Sequence, residues 1–319
     1  MASKTKRLIV IDSNSVIHRA FHALPPLTTK KGEQLGAVYG FLLVFFKAIK
    51  EFHPDFIVAC FDFPAPTFRH KKFKQYKAKR PPSPKELYSQ IPKVKEVLKT
   101  FNILVLEKEG FEADDIIGTV AKKFPQKQTF PKIETIILSG DLDTLQLVDA
   151  QTKVYLLNRG VKNTVLYNEN SVKEKYSGLS PYQLTDLRAL RGDASDNIPG
   201  VTGVGEKTAI HLLKEFGSLE NLYKELEKKE NELKNIKPRI KTLLIEQKEQ
   251  AFLSQELARI HQNVATDFNP KKCQWKKYDK EKAAKILQDM EFYSLMKRLP
   301  NTDHTDGVKE ENARELKLW

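Results

Sequence analysis

Nine carboxylates stand where short apolar runs end or where helices begin: LIVID closes on Asp12, IVACFD on Asp62, and IILSGDLD on Asp141 and Asp143, while GFEADDIIG supplies Glu112, Asp114 and Asp115 and RGDASDN supplies Asp193 and Asp196. Taken singly, each reads as a turn former or a helix N-cap. Together they read differently. EADD places more negative charge at a helix start than capping needs, and aspartates ending parallel strands share one sheet edge, where α/β proteins bind ligands. So many like charges in one cleft would repel and raise one another's pKa values unless cations sat among them. Oxygen-only donors suit a hard divalent ion, Mg²⁺ or Mn²⁺. The seven histidines form no HExxH pattern, and there is no GxSxG elbow. Hard metals in a carboxylate cleft on a basic chain suggest phosphodiester hydrolysis, with two ions about 4 Å apart activating a water and stabilising the leaving oxygen.

The opposite charge is also gathered. RHKKFKQYKAKR, from Arg69 to Arg80, holds seven cations (Arg69, Lys71, Lys72, Lys74, Lys77, Lys79 and Arg80), no acid, and the rings Phe73 and Tyr76. It follows Asp62 closely, so it rises from the acidic edge and offers cations and stackable rings to a bound strand. An exposed basic helix or loop is the plainer reading. IPGVTGVGEKTA, from Ile198 to Ala209, resembles a P-loop, but Glu206 stands between Gly205 and Lys207; it has no preceding strand to make a dinucleotide fingerprint. What remains is helix, glycine hairpin, helix. Gly203 and Gly205 would let backbone N–H groups and the next helix start, with Lys207 and Thr208, approach phosphates without reading bases.

The elements that must position these groups are legible as alternating patterns. Leu8–Ile11, Phe56–Phe61, Ile103–Leu106, Thr135–Leu138 and Val154–Leu157 read as buried parallel strands. Val38–Phe52, Leu87–Phe101 and Ala113–Phe124 carry apolar residues at helical spacing. This alternation predicts an α/β sheet flanked by helices. From about Leu179 the pattern turns helical: Tyr182–Leu190, Glu206–Phe216, Leu219–Glu227 and a Lys/Glu-rich stretch to Leu257, then Lys280–Lys297 as one more helix. The expected division is an α/β nuclease-like core over 1–178, with a basic insert at 64–100, a helical subdomain over 179–265, a C-terminal segment over 266–300 packing on the core, and a polar tail or linker over 301–319.

Composition sets the class of partner. With 319 residues, 54 Lys+Arg against 41 Asp+Glu give +13, and 40% hydrophobic residues allow a sizeable core. Such a surface most often meets a polyanion, nucleic acid first. Two distant cysteines, Cys60 and Cys273, support neither a disulfide framework nor a thiolate zinc site, and fit a reducing compartment. MASKTKR precedes too short an apolar run for a signal peptide, and Gly36–Phe46 is far below the about 20 apolar residues of a membrane span. A cytoplasmic protein with no membrane partner is expected.

VIDSNSVIHRAFHAL, AVYGF, FDFPAPTFRHKKFKQYKAKRP, GFEADD, SGDLDTLQLV, LRGDASDNIPGVTGVGEKTA and FGSLENL, in this order to about Lys297, resemble the 5′ nuclease (flap endonuclease) family. The likeness is nearest to the N-terminal 5′-3′ exonuclease domain of bacterial DNA polymerase I. It implies a PIN-like core with a mostly parallel sheet, a helical arch that single strands thread, and a helix-hairpin-helix subdomain. It also implies a two-metal hydrolase acting on flaps, nicks and RNA-primed strands in replication and repair. The family's metal-binding acids match all nine carboxylates, with Asp115 also counted among the catalytic groups. Arg19, Arg69, Lys77 and Arg80 match cations that steer or polarise the scissile phosphate, Tyr76 a base-stacking ring, and Lys72 and Lys74 strand contacts. The resemblance adds K⁺ at the hairpin, a monomer, and a polymerase in the full-length protein. Ser13 departs from the glycine the family often has there. A non-catalytic DNA-binding module and an RNA-cutting nuclease of similar core are the other readings; metal-dependent cleavage separates the first, and the basic insert with the hairpin speaks against the second.

Overall fold

The computed structural model describes residues 5–126, 132–158, 160–228, 236–266 and 268–301. Strands β1 (Lys6–Asp12), β2 (Phe56–Cys60), β3 (Leu104–Leu106), β4 (Ile133–Ser139), β5 (Thr152–Leu157) and β6 (Thr164–Tyr167) form one sheet in the order β3-β2-β1-β4-β5-β6. The first five are parallel and β6 joins antiparallel. The five strands expected from apolar runs are present. β6 was not expected, because a four-residue edge strand with Val165 and Leu166 partly exposed carries little apolar signal.

Strand side chains alternate between two cores, as the period-2 geometry of a strand requires. Ile9, Ile11, Ile57 and Ala59 face helices α1 (Ser13–Ala23) and α2 (Gly36–Phe52). Leu8, Val10, Phe56 and Val58 face the other way. Between β2 and β3 run the short helices α3 (Phe68–Lys72) and α4 (Lys85–Tyr88), then α5 (Ile91–Thr100). α5 buries Val94, Val97 and Leu98 in the α1–α2 core. The last helix of the expected 64–100 insert is thus a core helix.

The second face is covered by α6 (Ala113–Gln126) and, beyond α7 (Glu169–Lys175), by α8 (Leu184–Arg191), α9 (Glu206–Phe216) and α10 (Leu219–Glu227). α11 (Pro238–Glu246) and α12 (Lys248–Ala258) complete the helical half. One buried cluster runs from Leu8 and Val10 through Ile116 and Val120 to Leu187, Leu212 and Leu222, so sheet and helical half share a core. Each fully buried side chain of this kind stabilises by about 1.5–3 kcal/mol. The helix expected over Lys280–Lys297 is two, α13 (Lys280–Asp289) and α14 (Tyr293–Met296), because Glu291 takes a positive φ of 59° between them. Trp275, Ala283, Leu287 and Leu295 pack on the α2–α5 side. Most of the expected tail, 302–319, and part of the Lys/Glu-rich stretch, 229–235, lie outside the described residues. No described helix is long and apolar enough to cross a membrane.

Candidate active site

The carboxyl edge of the sheet builds the site. Asp12 is the last residue of β1 and lies opposite Cys60 of β2, while its predecessor Ile11 pairs with Leu138 of β4. The parallel register thus puts Asp12 beside Ser139, whose Oγ donates to Asp12 Oδ2 at 2.6 Å. Asp12 Oδ1 accepts from Ser15 N at 3.1 Å and caps α1. Ser139 Oγ in turn accepts from Asp141 N, and Asp141 Oδ1 accepts from Asp143 N, both at 2.9 Å, which fixes the turn after β4. Asp62 Oδ1 caps α6 by accepting from Ala113 N at 2.7 Å. The structural role of each aspartate as a cap and its place in a common cleft are therefore the same fact, because caps at strand ends face one edge.

A cleft of about 360 Å³ opens there, lined by Asp12, Asp62, Glu112, Asp114 and Asp141 together with Arg19, Lys77, Arg80, His18 and His22. The carboxylates are strained electrostatically. Burial, with Asp141 nearby and against hydrogen bonds from Ser139 and Ser15, pushes Asp12 up to about 6. Burial pushes Asp143 up to about 7 although Arg188 opposes the rise. Asp114 goes well above the usual carboxylate range, by burial and then by the charges of Asp12 and Asp141. Asp62 keeps contact with solvent, yet enclosure by the cleft walls still raises it. Among the described residues no three carboxylate, imidazole or thiolate groups converge into a ready-made cage. The donors present are nonetheless carboxylate oxygens whose charged form is disfavoured by burial and by one another, a penalty that a hard divalent cation relieves.

The basic segment lies down on the acids. Lys77 Nζ pairs with Glu112 Oε1 at 2.8 Å and Arg80 pairs with Asp196. Lys77 N donates to Asp196 O at 2.9 Å, and Asn197 Nδ2 to Gln75 O at 2.7 Å, so backbone contacts tie the segment to the RGDASDN loop. Lys77 itself holds a positive φ of 55°. Burial disfavours its charge, but Glu112 and Asp196 outweigh burial and raise its pKa. Burial likewise acts to raise Asp196, and Lys77 and Arg80 reverse it, so that carboxyl ends below its usual range. Arg19 Nη2 donates to Gly140 O at 2.8 Å.

Several expected site residues stand away from the open cleft or already have partners. Asp115 does not line the cleft: its carboxylate is closed to solvent and accepts from both Nη atoms of Arg69, from Glu112 N and from His261 N. One residue along a helix turns the side chain by about 100°, so Asp114 faces the cleft and Asp115 the core. Arg69 is equally committed, its Nε donating to Leu257 O and Nη2 to Arg259 O. It ties α3, α6 and the end of α12 together and has no face left for a phosphate. Tyr76 is 3% exposed, its single hydroxyl proton lying within reach of Asp196 Oδ2 at 3.0 Å and Glu112 Oε2 at 3.1 Å, so its ring is enclosed and not open for stacking. Asp143 and Asp193 sit beside the cleft, both against the buried Arg188. Lys72 pairs with Glu256, and Lys74 is exposed.

The glycine hairpin is present. Gly203 takes φ 94°, whereas Gly205 has an ordinary φ of −86° and stands at the N-cap of α9, with Lys207 exposed and Thr208 half-buried in its first turn. Sequence reasoning missed Ser15, Ser139 and Asn14, whose side chains hold Asp12 and the Asp62 backbone, and missed Arg188. Each lies two or three residues from an aspartate in sequence, a spacing too common to serve as a signal.

An acidic cleft at the carboxyl edge of a mostly parallel sheet, faced by arginine and lysine, is the arrangement of an α/β nuclease, a hydrolase. The sequence matches the family described as 5′-3′ exonuclease, N-terminal resolvase-like domain, over residues 7–177, and 5′-3′ exonuclease, C-terminal SAM fold, over residues 179–281. The chain belongs to the 5′-3′ exonuclease family. It is 40% identical over 294 residues to the 5′-3′ exonuclease of Aquifex aeolicus, covering 92% of this chain and 95% of the relative. It is 38% identical to the DNA polymerase I of Bacillus subtilis over 99% of this chain but 34% of that protein. The chain thus spans about a third of the length of the DNA polymerase I relatives it matches. The fold is that of a T5 5′-exonuclease solved with zinc ions (TM-score 0.64, 17% identity, covering 90% of this chain and 99% of that one). It is also that of the catalytic core of Rad2 solved with a DNA substrate (TM-score 0.55, 17% identity, covering 92% and 90%).

Proposed function

We propose that the chain is a metal-dependent, structure-specific 5′-3′ exonuclease and 5′ flap endonuclease that hydrolyses DNA phosphodiester bonds in RNA-primer removal, replication and repair. The observation that carries this reading is the cleft itself, with Asp12, Asp62, Glu112, Asp114 and Asp141 on one side and Arg19, Lys77 and Arg80 on the other. Family membership supports it.

Asp12, Asp62, Glu112, Asp114 and Asp141 would hold the divalent cations, Mg²⁺ or Mn²⁺, with Asp143, Asp193 and Asp196 at the margin. When bound, two such ions supply activation of water and charge for the leaving oxygen. Arg19, anchored on Gly140, keeps further N–H donors for a phosphate oxygen. The raised pKa of Lys77 keeps the proton on Nζ, so it serves as a fixed positive charge on the phosphate and not as a general base. Arg80 acts in the same way from the exposed rim, exchanging Asp196 for substrate. Asp115 and Arg69 hold the start of α6, and with it Glu112 and Asp114, in place.

The domain reading is a core over 1–178, a helix-hairpin-helix half over 179–265 and a packing segment over 266–300. Gly203, Gly205, Lys207 and Thr208 would grip duplex phosphates. The hairpin carbonyls of Gly200, Val201 and Thr202 each accept one hydrogen bond, from Gln250, Val204 and Gln247, and keep a second lone pair that K⁺ would use. The substrates are branched or 5′-ended duplexes, taken in the cytoplasm by a monomer that is fused to a polymerase where the full-length protein resembles DNA polymerase I. Incubation with labelled 5′-flap, nicked and single-stranded DNA in Mg²⁺ tests this: release of the flap near the junction is expected. Equal cutting of unstructured single strands would contradict the structure specificity.

A further inference from the structure

Arg188, in the last turn of α8, is 4% exposed. Its Nη2 donates to Asp143 and its Nε lies 3.5 Å from Asp193 Oδ2. Nε and Nη1 are buried without a hydrogen-bond partner. A buried guanidinium normally fills its donors, because each empty one costs desolvation energy. This one does not. What its position supplies is charge, between one carboxylate from the turn after β4 and another from the loop after α8, with Asp141 also in electrostatic reach. Three carboxylates and one guanidinium sum to −2, the charge that one divalent cation cancels; without the guanidinium they would sum to −3.

We propose that Arg188 is a positioning residue that, by its fixed charge between Asp143 and Asp193, keeps divalent-cation affinity low on the Asp141–Asp143–Asp193 side of the cleft. The inference rests on the reading of that cleft as a cation site. Low affinity on one side means that cation is taken up fully only when substrate phosphate arrives to complete its shell. The Tyr176 ring is the other titratable group near the guanidinium, and Arg191 the next cation along the chain.

The test is titration of the metal-free full chain with Mn²⁺, free Mn²⁺ being counted by its electron paramagnetic resonance signal. Arg188→Met, which removes the charge, is expected to tighten the weaker-bound Mn²⁺ by about tenfold. Arg188→Lys, which keeps the charge, is expected to stay near wild type. A merely structural arginine would give the opposite, since loosening the site weakens binding. Unchanged or weaker Mn²⁺ binding in Arg188→Met with a retained melting transition overturns the inference. Arg188→Gln keeps a donor toward Asp143 without the charge and is read in the same way, so failure of one variant to fold leaves the test standing. Wild-type protein that binds no Mn²⁺ overturns the cation reading of the cleft and this inference with it. Wild-type protein that binds Mn²⁺, beside variants that do not change, overturns the inference alone.

Discussion

Arg69 grips Asp115 with two parallel hydrogen bonds, Nη1 to Oδ2 at 2.7 Å and Nη2 to Oδ1 at 2.8 Å, and both side chains are closed to solvent. Removing one partner of such a pair strands the other charge in the interior, at about 3–5 kcal/mol. Arg69→Ala is therefore expected to lower unfolding stability by that order in a denaturant titration. The double change Arg69→Met with Asp115→Leu should recover much of the loss. A variant as stable as wild type but unable to cut DNA would return Arg69 to the phosphate.

Burial and then its acidic neighbours disfavour the charged form of Asp114. In metal-free buffer Asp114→Asn should melt at a higher temperature than wild type, while losing divalent-cation binding. Asp141→Asn should behave similarly, since an amide oxygen still caps Asp143 N. A clear drop in melting temperature for both would assign these acids a bonding role instead of a repulsive one.

The raised carboxyls set a pH dependence. Asp12 at about 6 and Asp143 at about 7 stand above the unfolded value of 3.8, so between those limits the folded chain holds more protons than the unfolded one. Stability therefore falls as pH rises through this window. Chelated protein is expected to lose stability between about pH 5 and pH 8, and Asp143→Asn to lose less of it. Saturating Mg²⁺ should flatten or reverse the trend. Asp196, held below its usual range, works the other way only at the acid end, which a scan above about pH 4.5 avoids, whereas His18, held below its ordinary value by burial, opposes the trend in the lower part of the window. Thermal melts across the window decide the sign.

Two glycines of the hairpin region separate folding from binding. Gly200 takes φ 64°, and a Cβ there would sit 2.2 Å from Gly192 N; around Gly205 nothing lies within 4 Å. Gly200→Ala should destabilise by about 2 kcal/mol or more. Gly205→Ala, at the N-cap of α9 where alanine is the poorer residue, should cost at most about 1 kcal/mol and yet weaken duplex binding. Melting curves and a filter-binding titration check the pair.

The sequence patterns carried the sheet, because parallel strands buried on both faces read as apolar runs, and carried the edge, because Asp12, Asp62 and Asp141 end or follow those runs. They could not separate Asp114 from Asp115, which are identical in type and adjacent; only the helical rotation of α6, fixed by packing Ile116, Ile117 and Val120, sends one to the cleft and the other to Arg69. The burial of Tyr76 and Arg69 was illegible for a related reason. A basic, aromatic segment looks like a solvent-facing ligand for DNA, and the acids that bury these two, Glu112, Asp115 and Asp196, lie up to 120 residues away. Ser139 and Arg188 became visible only with the register and the helix packing that place them against Asp12 and Asp143.

The central claim is that the acidic cleft cuts DNA by means of divalent cations. It is tested most directly by the single-turnover cleavage rate of a 5′-labelled flap duplex as Mg²⁺ is raised from zero, for wild type and for Asp114→Asn. The account predicts no cleavage in chelator, a rate that climbs with Mg²⁺ for wild type, and at least a hundredfold lower rate for the variant, about 2.7 kcal/mol in barrier. Cleavage that persists in chelator, or a variant as fast as wild type, would contradict it.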